Sequence, residues 1–274
     1  MPPETVIVSP DASLSGVAAS LQHVGKVFQT KSGSLTALQV IDLEIPHGEF
    51  VCILGPSGCG KSTILNIIAG LLPPSVGVVT VLGAQVLKPV TDVGIVFQRD
   101  LLLPWRTVLG NVLLQAEIRR LPLEPLTKRA KELLQLVGLL EFTGMHPREL
   151  SGGMRQRVSI CRALVHDPAL LLMDEPFGAL DAMTRDQMNL DILRIWERSK
   201  KTVVFVTHSI TEAVFLASRV IVMSPRPGSI KADLRIELPR PRYFAVRESS
   251  QFISYTKTIR LLFQDMGLLR EESS

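Results

Sequence analysis

Between Phe50 and Gly70 the chain reads FVCILGPSGCGKSTILNIIAG. The apolar run from Phe50 to Leu54 reads as a buried strand; it breaks at Gly55 into a loop rich in glycine, and a helical pattern resumes at Lys61. In that strand, loop and helix context, Gly55, Gly60, Lys61 and Ser62 fit G-x-x-x-x-G-K-[ST]. Glycines let the backbone curl until successive N–H groups point inward, and the positive end of the next helix adds to them. The hollow formed by Gly55, Pro56, Ser57, Gly58, Cys59, Gly60, Lys61, Ser62 and Thr63 therefore suits a phosphate. Lys61 adds a full charge, and the Ser62 hydroxyl suits Mg²⁺, which takes hard oxygen ligands and keeps several of its waters.

A second apolar run, Ala169 to Met173, delivers Asp174 and Glu175 at its carboxyl end, where open α/β sheets place their ligands. Asp174 is assigned to the Mg²⁺ that bridges two phosphates, and Glu175 to orienting a water and accepting its proton. Leu150, Ser151, Gly152 and Gly153 come directly before a helical run, so a serine and two bare amides stand at a helix N-terminus, a second place for an anion. One nucleotide has one terminal phosphate, so either the chain folds over to bring the two sites together or two chains stack head to tail. His208 and Gln98 each end a strand, at the same edge of the presumed sheet. Phe28 reads either as core filler or as a platform for a flat base.

These residues need a sheet to position them. Leu21 to Phe28 reads as an edge strand and Leu38 to Ile45 as a second, ahead of the turn at Pro46, His47 and Gly48. Val78 to Leu82 and Val93 to Phe97 extend a sheet. Val108 to Arg120, Leu126 to Val137 and Ser151 to Val165 carry helical spacing, which makes about 99–165 a helical subdomain inserted in an α/β core. The alternation then resumes with a helix over Thr184 to Arg198, a strand over Thr202 to Thr207, a helix over Ile210 to Ala217 and a strand over Val220 to Met223. Ile230 to Leu238 reads as a hairpin and about Phe252 to Leu269 as a helix. The predicted fold class is α/β: a P-loop NTPase core with a mixed sheet, an antiparallel β edge and the helical insertion. Residues 1–20 are expected to be a mobile tail, 21–242 the domain and 243–274 a helical C-terminal tail. No internal repeat or second phosphate loop occurs.

A chain of 274 residues with 46% hydrophobic content can bury a sizeable core. No apolar run approaches the roughly 18 residues that span a bilayer, although mean hydropathy is positive at +0.27. The first residues lack a basic region and are interrupted by Pro10 and Asp11, unlike a signal peptide. Cys52, Cys59 and Cys161 are odd in number and show no C-x-x-C spacing, so they imply neither a disulfide framework nor zinc and fit a reducing cytoplasm. The net charge of +4 permits contact with nucleic acid or anionic lipid without demanding it, and basic residues are spread along the chain rather than massed. The densest group, residues 225–242, reads as an exposed hairpin with solvated arginines.

Together GPSGCGKST, Gln98, LSGGMRQR, LLLMDEP, GALD and His208, in that order, resemble the ATP-binding subunit of an ABC transporter over roughly residues 21–225. The LSGG element discriminates, since other P-loop ATPases lack it. The resemblance implies an ATP hydrolase in which two such subunits, identical or related, sandwich two ATP molecules, and so picks the head-to-tail option. It implies that Phe28 stacks on adenine and that the loop from Gly55 to Thr63 binds the phosphates. Ser62, Gln98 and Asp174 would serve Mg²⁺, and Glu175 would be the general base. His208 would steady the γ-phosphate, and Ser151, Gly152 and Gly153 would face the phosphate held by the other subunit's Lys61. Asp181 would link the sites across the dimer.

LLLPWRTVLGNV at 101–112 with ELPRPR at 237–242 resembles more narrowly the importers of nitrate, sulfonates and taurine. That resemblance implies a peripheral subunit on the cytoplasmic face of the inner membrane, a separate membrane-spanning permease and a solute-binding protein, and no nucleic acid. The competing readings are an exporter subunit, a non-transport ABC ATPase of translation or DNA repair, and a small-molecule kinase. The translation and repair proteins carry two cassettes or long insertions, absent between Lys61 and Ser151, and a kinase leaves LSGG and the Asp174–Glu175 pair without purpose.

Overall fold

The computed structural model describes residues 16–31 and 33–269. Along the chain come β1 (Val17–Thr30), β2 (Gly33–Pro46), β3 (Phe50–Leu54), α1 (Lys61–Ile68), β4 (Val76–Val81), β5 (Ala84–Gln85) and β6 (Val93–Val96). The helical insertion follows with α2 (Val108–Val112), α3 (Leu114–Ile118), α4 (Leu123–Leu136) and α5 (Gly152–Leu164). After it come β7 (Leu170–Asp174), α6 (Ala182–Ser199), β8 (Thr202–Thr207), α7 (Ile210–Leu216), β9 (Arg219–Met223), β10 (Ile230–Arg235) and α8 (Ser250–Asp265).

The strands form two sheets. A six-stranded sheet runs β10-β9-β3-β8-β7-β6, parallel except for β10, which pairs antiparallel with β9. A four-stranded sheet runs β2-β1-β4-β5, its strands all antiparallel. Strands buried on both faces must be apolar throughout, and their period of two then divides them between two cores. Phe50, Cys52 and Leu54 of β3, with Val203 and Phe205 of β8, face the core shared with α5, α6, α7 and α8. Val51, Ile53, Val204 and Val206 face the opposite core, shared with α1 and the antiparallel sheet. Phe50 packs on Trp196 and Phe205 at ring centroid distances of 5.9 and 6.0 Å, and Phe177 packs on Phe205 at 5.6 Å. A fully buried ring of this size stabilises by about 2–3 kcal/mol. Through Phe177 that burial pins the turn directly after Glu175 onto β8.

Several expectations shift. β1 is not an edge strand, since it lies between β2 and β4, and it begins at Val17, inside the stretch expected as a tail; residues 1–15 lie outside the described residues. β4 and β6 do not extend one sheet: β4 joins the antiparallel sheet and β6 the edge of the parallel one. The helix expected over Val108 to Arg120 is two helices that meet at Leu113. Helices that short do not persist alone, and packing of α2 against α4 and α5 holds them.

The arginines of residues 225–242 are not all solvated. Arg242 is only 3% exposed. Its Nη1 donates to the carbonyls of Val214, Phe215 and Ala217 at 3.2, 2.9 and 2.8 Å, and Arg240 donates to Leu216 O at 2.8 Å while lying 4.2 Å over the Trp196 ring. A helix leaves its last carbonyls without intrahelical donors and carries partial negative charge there, so two guanidinium groups close the end of α7. Burial, with Arg240 close by, pushes Arg242 down to about 9.

Candidate functional site

β3 ends at Leu54, and the backbone turns through Gly58 and Gly60 at φ 76° and 100° to start α1. At Gly60, the residue before α1, a Cβ would stand 3.1 Å from Ala37 O of β2, so both conformation and space require glycine there. Lys61, 4% exposed, donates from Nζ to Gly55 O and Pro56 O, each at 2.9 Å, and lies 3.3 Å from Glu175 Oε1. Burial raises the Cys59 thiol, with the Lys61 charge opposing it. Arg226, from the connection after β9, donates to Gly58 O at 3.2 Å.

β7 carries its two carboxylates to this loop on diverging paths. Asp174 Oδ1 accepts the Ser62 hydroxyl at 2.8 Å. At Glu175 the backbone enters the left-handed region, φ 41°, and its N–H donates to Val206 O at 3.0 Å. The side chain is thereby aimed elsewhere: Oε1 faces Lys61, while Oε2 meets His208 Nδ1 at 3.0 Å. Burial raises the Asp174 carboxyl, the Ser62 hydrogen bond opposes it, and the nearby Glu175 charge raises it further. Gln98 joins the same place, since a Cβ on Gly178 would lie 3.7 Å from Gln98 Nε2 and 3.9 Å from Glu175 Oε2.

The donor set fits Mg²⁺ rather than a protein-caged metal. No cluster of three or more His, Cys, Asp or Glu residues suited to a metal occurs among the described residues. Ser62 and Asp174 offer hard oxygens side by side, which is how Mg²⁺ is held when phosphates and waters complete its shell. The phosphate loop, both carboxylates, Gln98 and His208 are thus brought together as expected from their strand-end positions. Phe28 stands on β1 opposite Leu35, half-buried, with Lys26 Nζ 5.2 Å from its ring centroid.

Ser151, Gly152 and Gly153 sit at the start of α5. Ser151 caps that helix by accepting Met154 N–H at 3.3 Å, and Ser151 and Gly152 are exposed. Gly153 is buried, and a Cβ there would stand 2.6 Å from Thr184 Cγ2 at the start of α6. Asp181 caps α6 by accepting Thr184 N–H at 3.0 Å, a bond that holds its carboxyl below the usual range.

Residues not singled out from the sequence complete the site. Thr207 at the end of β8 donates its hydroxyl to Glu212 and accepts Ser209 N–H at 3.0 Å. Glu212 is 6% exposed; burial raises its carboxyl, while the Thr207 hydrogen bond and the Arg185 charge oppose the shift. An acid inside the largely apolar helix ITEAVFL, four residues after His208, was the available signal. Arg226 carried none, because a lone arginine among prolines says nothing about the loop it meets across the fold.

The family model described as "ABC transporter" matches residues 38–178. The taurine import ATP-binding protein of Rhizobium johnstonii is 47% identical over 258 residues, covering 91% of this chain and 98% of its own. The nitrate import ATP-binding protein of Synechocystis is 43% identical over 250 residues, 89% of this chain and 94% of its own. An aliphatic sulfonates import ATP-binding protein of Bacillus cereus is 40% identical over 254 residues, 93% and 99%. Among solved structures, a bacterial ABC transporter cassette described as dimeric matches with a TM-score of 0.71 at 35% identity, covering 81% of this chain and 100% of that one.

Proposed function

The chain belongs to the family of ABC transporter ATP-binding proteins, and from that premise we propose that it hydrolyses ATP to drive a separate permease importing a small anionic or polar solute. The observation that carries the reading is Glu175 set between Lys61 and His208, with Asp174 on Ser62. Lys61 and the loop amides bind the β- and γ-phosphates, and Mg²⁺, when bound at Ser62, Asp174 and Gln98, neutralises charge on them. Glu175 orients the attacking water and accepts its proton, while His208 holds Glu175 in place and meets the γ-phosphate. Phe28 supports the adenine ring.

Ser151 and Gly152 are exposed at the N-terminus of α5, a different helix from the one that Lys61 begins, which supports a head-to-tail pair of chains in which each LSGG element closes the other's ATP site. ATP then favours the closed dimer and hydrolysis reopens it. No helix among the described residues is long and apolar enough to cross a membrane, and in this reading the membrane path belongs to the permease. A groove of about 430 Å³ between the sheet edge and the helical insertion, lined by Ile95, Phe97, Leu114, Ile118 and Arg162, offers the permease a docking place close to Gln98. In this reading the chain is peripheral on the cytoplasmic face. The solute class rests on relatives named for taurine, nitrate and sulfonate import, and a solute-binding protein selects within it.

Purification of the tagged chain from membranes in mild detergent, with mass spectrometry of what comes with it, tests this. The expected result is a polytopic permease in stoichiometric amount, with an associated solute-binding protein that retains a small anion. A permease without a binding protein indicates export instead, and recovery with ribosomes or DNA overturns the transport reading.

A further inference from the structure

Behind Glu175 and His208 lies a cavity of about 10 Å³ whose walls include Glu175, Gly178, Arg185, Thr207, His208 and Glu212. One water needs about that much probe-sized space, together with two or more polar partners. The walls supply them. Glu212 gives one oxygen to the Thr207 hydroxyl, but its Oε1 is buried with no partner in the protein. Arg185 donates from one terminal nitrogen to Leu180 O at 2.9 Å, but its Nε is buried and likewise unpartnered. A buried acceptor and a buried donor on two residues that line one small polar space, neither satisfied by the other, are costly unless something joins them.

We infer that Arg185 and Glu212 are a water-bridged positioning pair that ties the loop 178–181 to the end of β8 and thereby sets the hydrogen bond from His208 to Glu175. The links are continuous. Arg185, on the first turn of α6, grips the carbonyl of Leu180, next to Asp181. Glu212 grips Thr207, whose Oγ1 also takes Ser209 N–H, while Ser209 Oγ takes Glu212 N–H at 3.3 Å. The backbone on both sides of His208 is therefore fixed by Glu212, which sets the place from which the imidazole reaches Glu175. The pair acts through His208 and touches no reacting atom. It makes the loop that the ABC reading places at the dimer contact and the group that holds the base parts of one mechanical unit, and so the inference rests on that reading.

The test uses the full chain labelled with ¹³C and ¹⁵N in histidine, with His208 identified among the five histidines by its loss in His208→Gln. Glu212→Gln and Arg185→Ala are expected to shift the His208 imidazole signals and to lower kcat for ATP hydrolysis by about 10²-fold, as misplacement of a catalytic group can, with KM for ATP unchanged. Arg185→Lys, which keeps a donor and a charge, restores both. The spectra need no turnover, so a wild-type chain that fails to hydrolyse ATP counts against the proposed function and leaves the pair to be judged on the imidazole signals. If Glu212→Gln does not fold, the two Arg185 variants decide. His208 signals unmoved in folded Arg185→Ala, or a loss confined to KM, overturn the inference.

Discussion

Glu175 directs one oxygen to Lys61 at 3.3 Å and the other to His208 at 3.0 Å, so its position is set from two sides before any substrate arrives. Glutamine has the same size and keeps hydrogen-bonding capacity but takes no proton from water. Glu175→Gln is therefore expected to slow hydrolysis by about 10²- to 10⁴-fold while ATP binding persists, seen as bound ATP that remains uncleaved and a dimer that accumulates on gel filtration. Near-normal turnover in that variant would remove Glu175 from the role. A different kind of residue, His166, follows α5 beside the groove, and burial, then the Arg119 charge, push its imidazole from 6.5 down to about 4. Unfolded, it takes its proton near 6.5; folded, it does so only near 4. Between those values the unfolded chain binds more protons, so stability present above 6.5 is lost as pH falls toward 4, at a slope of at most about 1.4 kcal/mol per pH unit. Urea denaturation of the wild type and His166→Gln at pH 7 and 5 checks this: the wild type should lose the more, and equal losses would contradict it.

At the scale of elements, Gly153 has two reasons to be glycine. Its amide lies at the start of α5, and its missing side chain lets α5 approach α6 to where a Cβ would stand 2.6 Å from Thr184 Cγ2. Gly153→Ala should therefore cost about 1–3 kcal/mol through overpacking, and Thr184→Ala added to it should recover part of that loss in thermal denaturation; no recovery would mean that the contact with Thr184 is not what excludes a side chain there. Only the first reason was legible in the sequence. LSGG before a helical run announces a capped helix start, whereas the neighbour across the packing, Thr184, comes from 31 residues further along the chain. The same distinction runs through the molecule. The phosphate loop, Asp174, Glu175, Gln98 and His208 were readable because strand ends and their chemistry are local patterns. The place of β1 between β2 and β4, and the burial of Arg242 against the end of α7, depend on long-range contacts that local spacing does not record. A proline-flanked arginine reads as solvated until the carbonyls it meets are known.

At the scale of the whole molecule, alternation along the parallel strands assigns neighbouring residues to two separate cores, and the phosphate loop hangs from one of the strands that border both. β3 is buried at all five residues and paired in parallel with β8 on one side and β9 on the other. β10, at the sheet edge, alternates between exposed and half-buried positions. Hydrogen exchange followed by mass spectrometry should thus find the β3 amides among the slowest, opening only with global unfolding, and those of β10 faster; β3 amides that exchange with β10 would contradict this placement. An anchor that opens only with the whole fold gives the chain no way to lose its grip on ATP by melting β3 alone. Any ligand gripped by that loop shields the entire polypeptide from unfolding and from proteases that cut unfolded chain, and the protein's lifetime becomes a readout of the nucleotide around it.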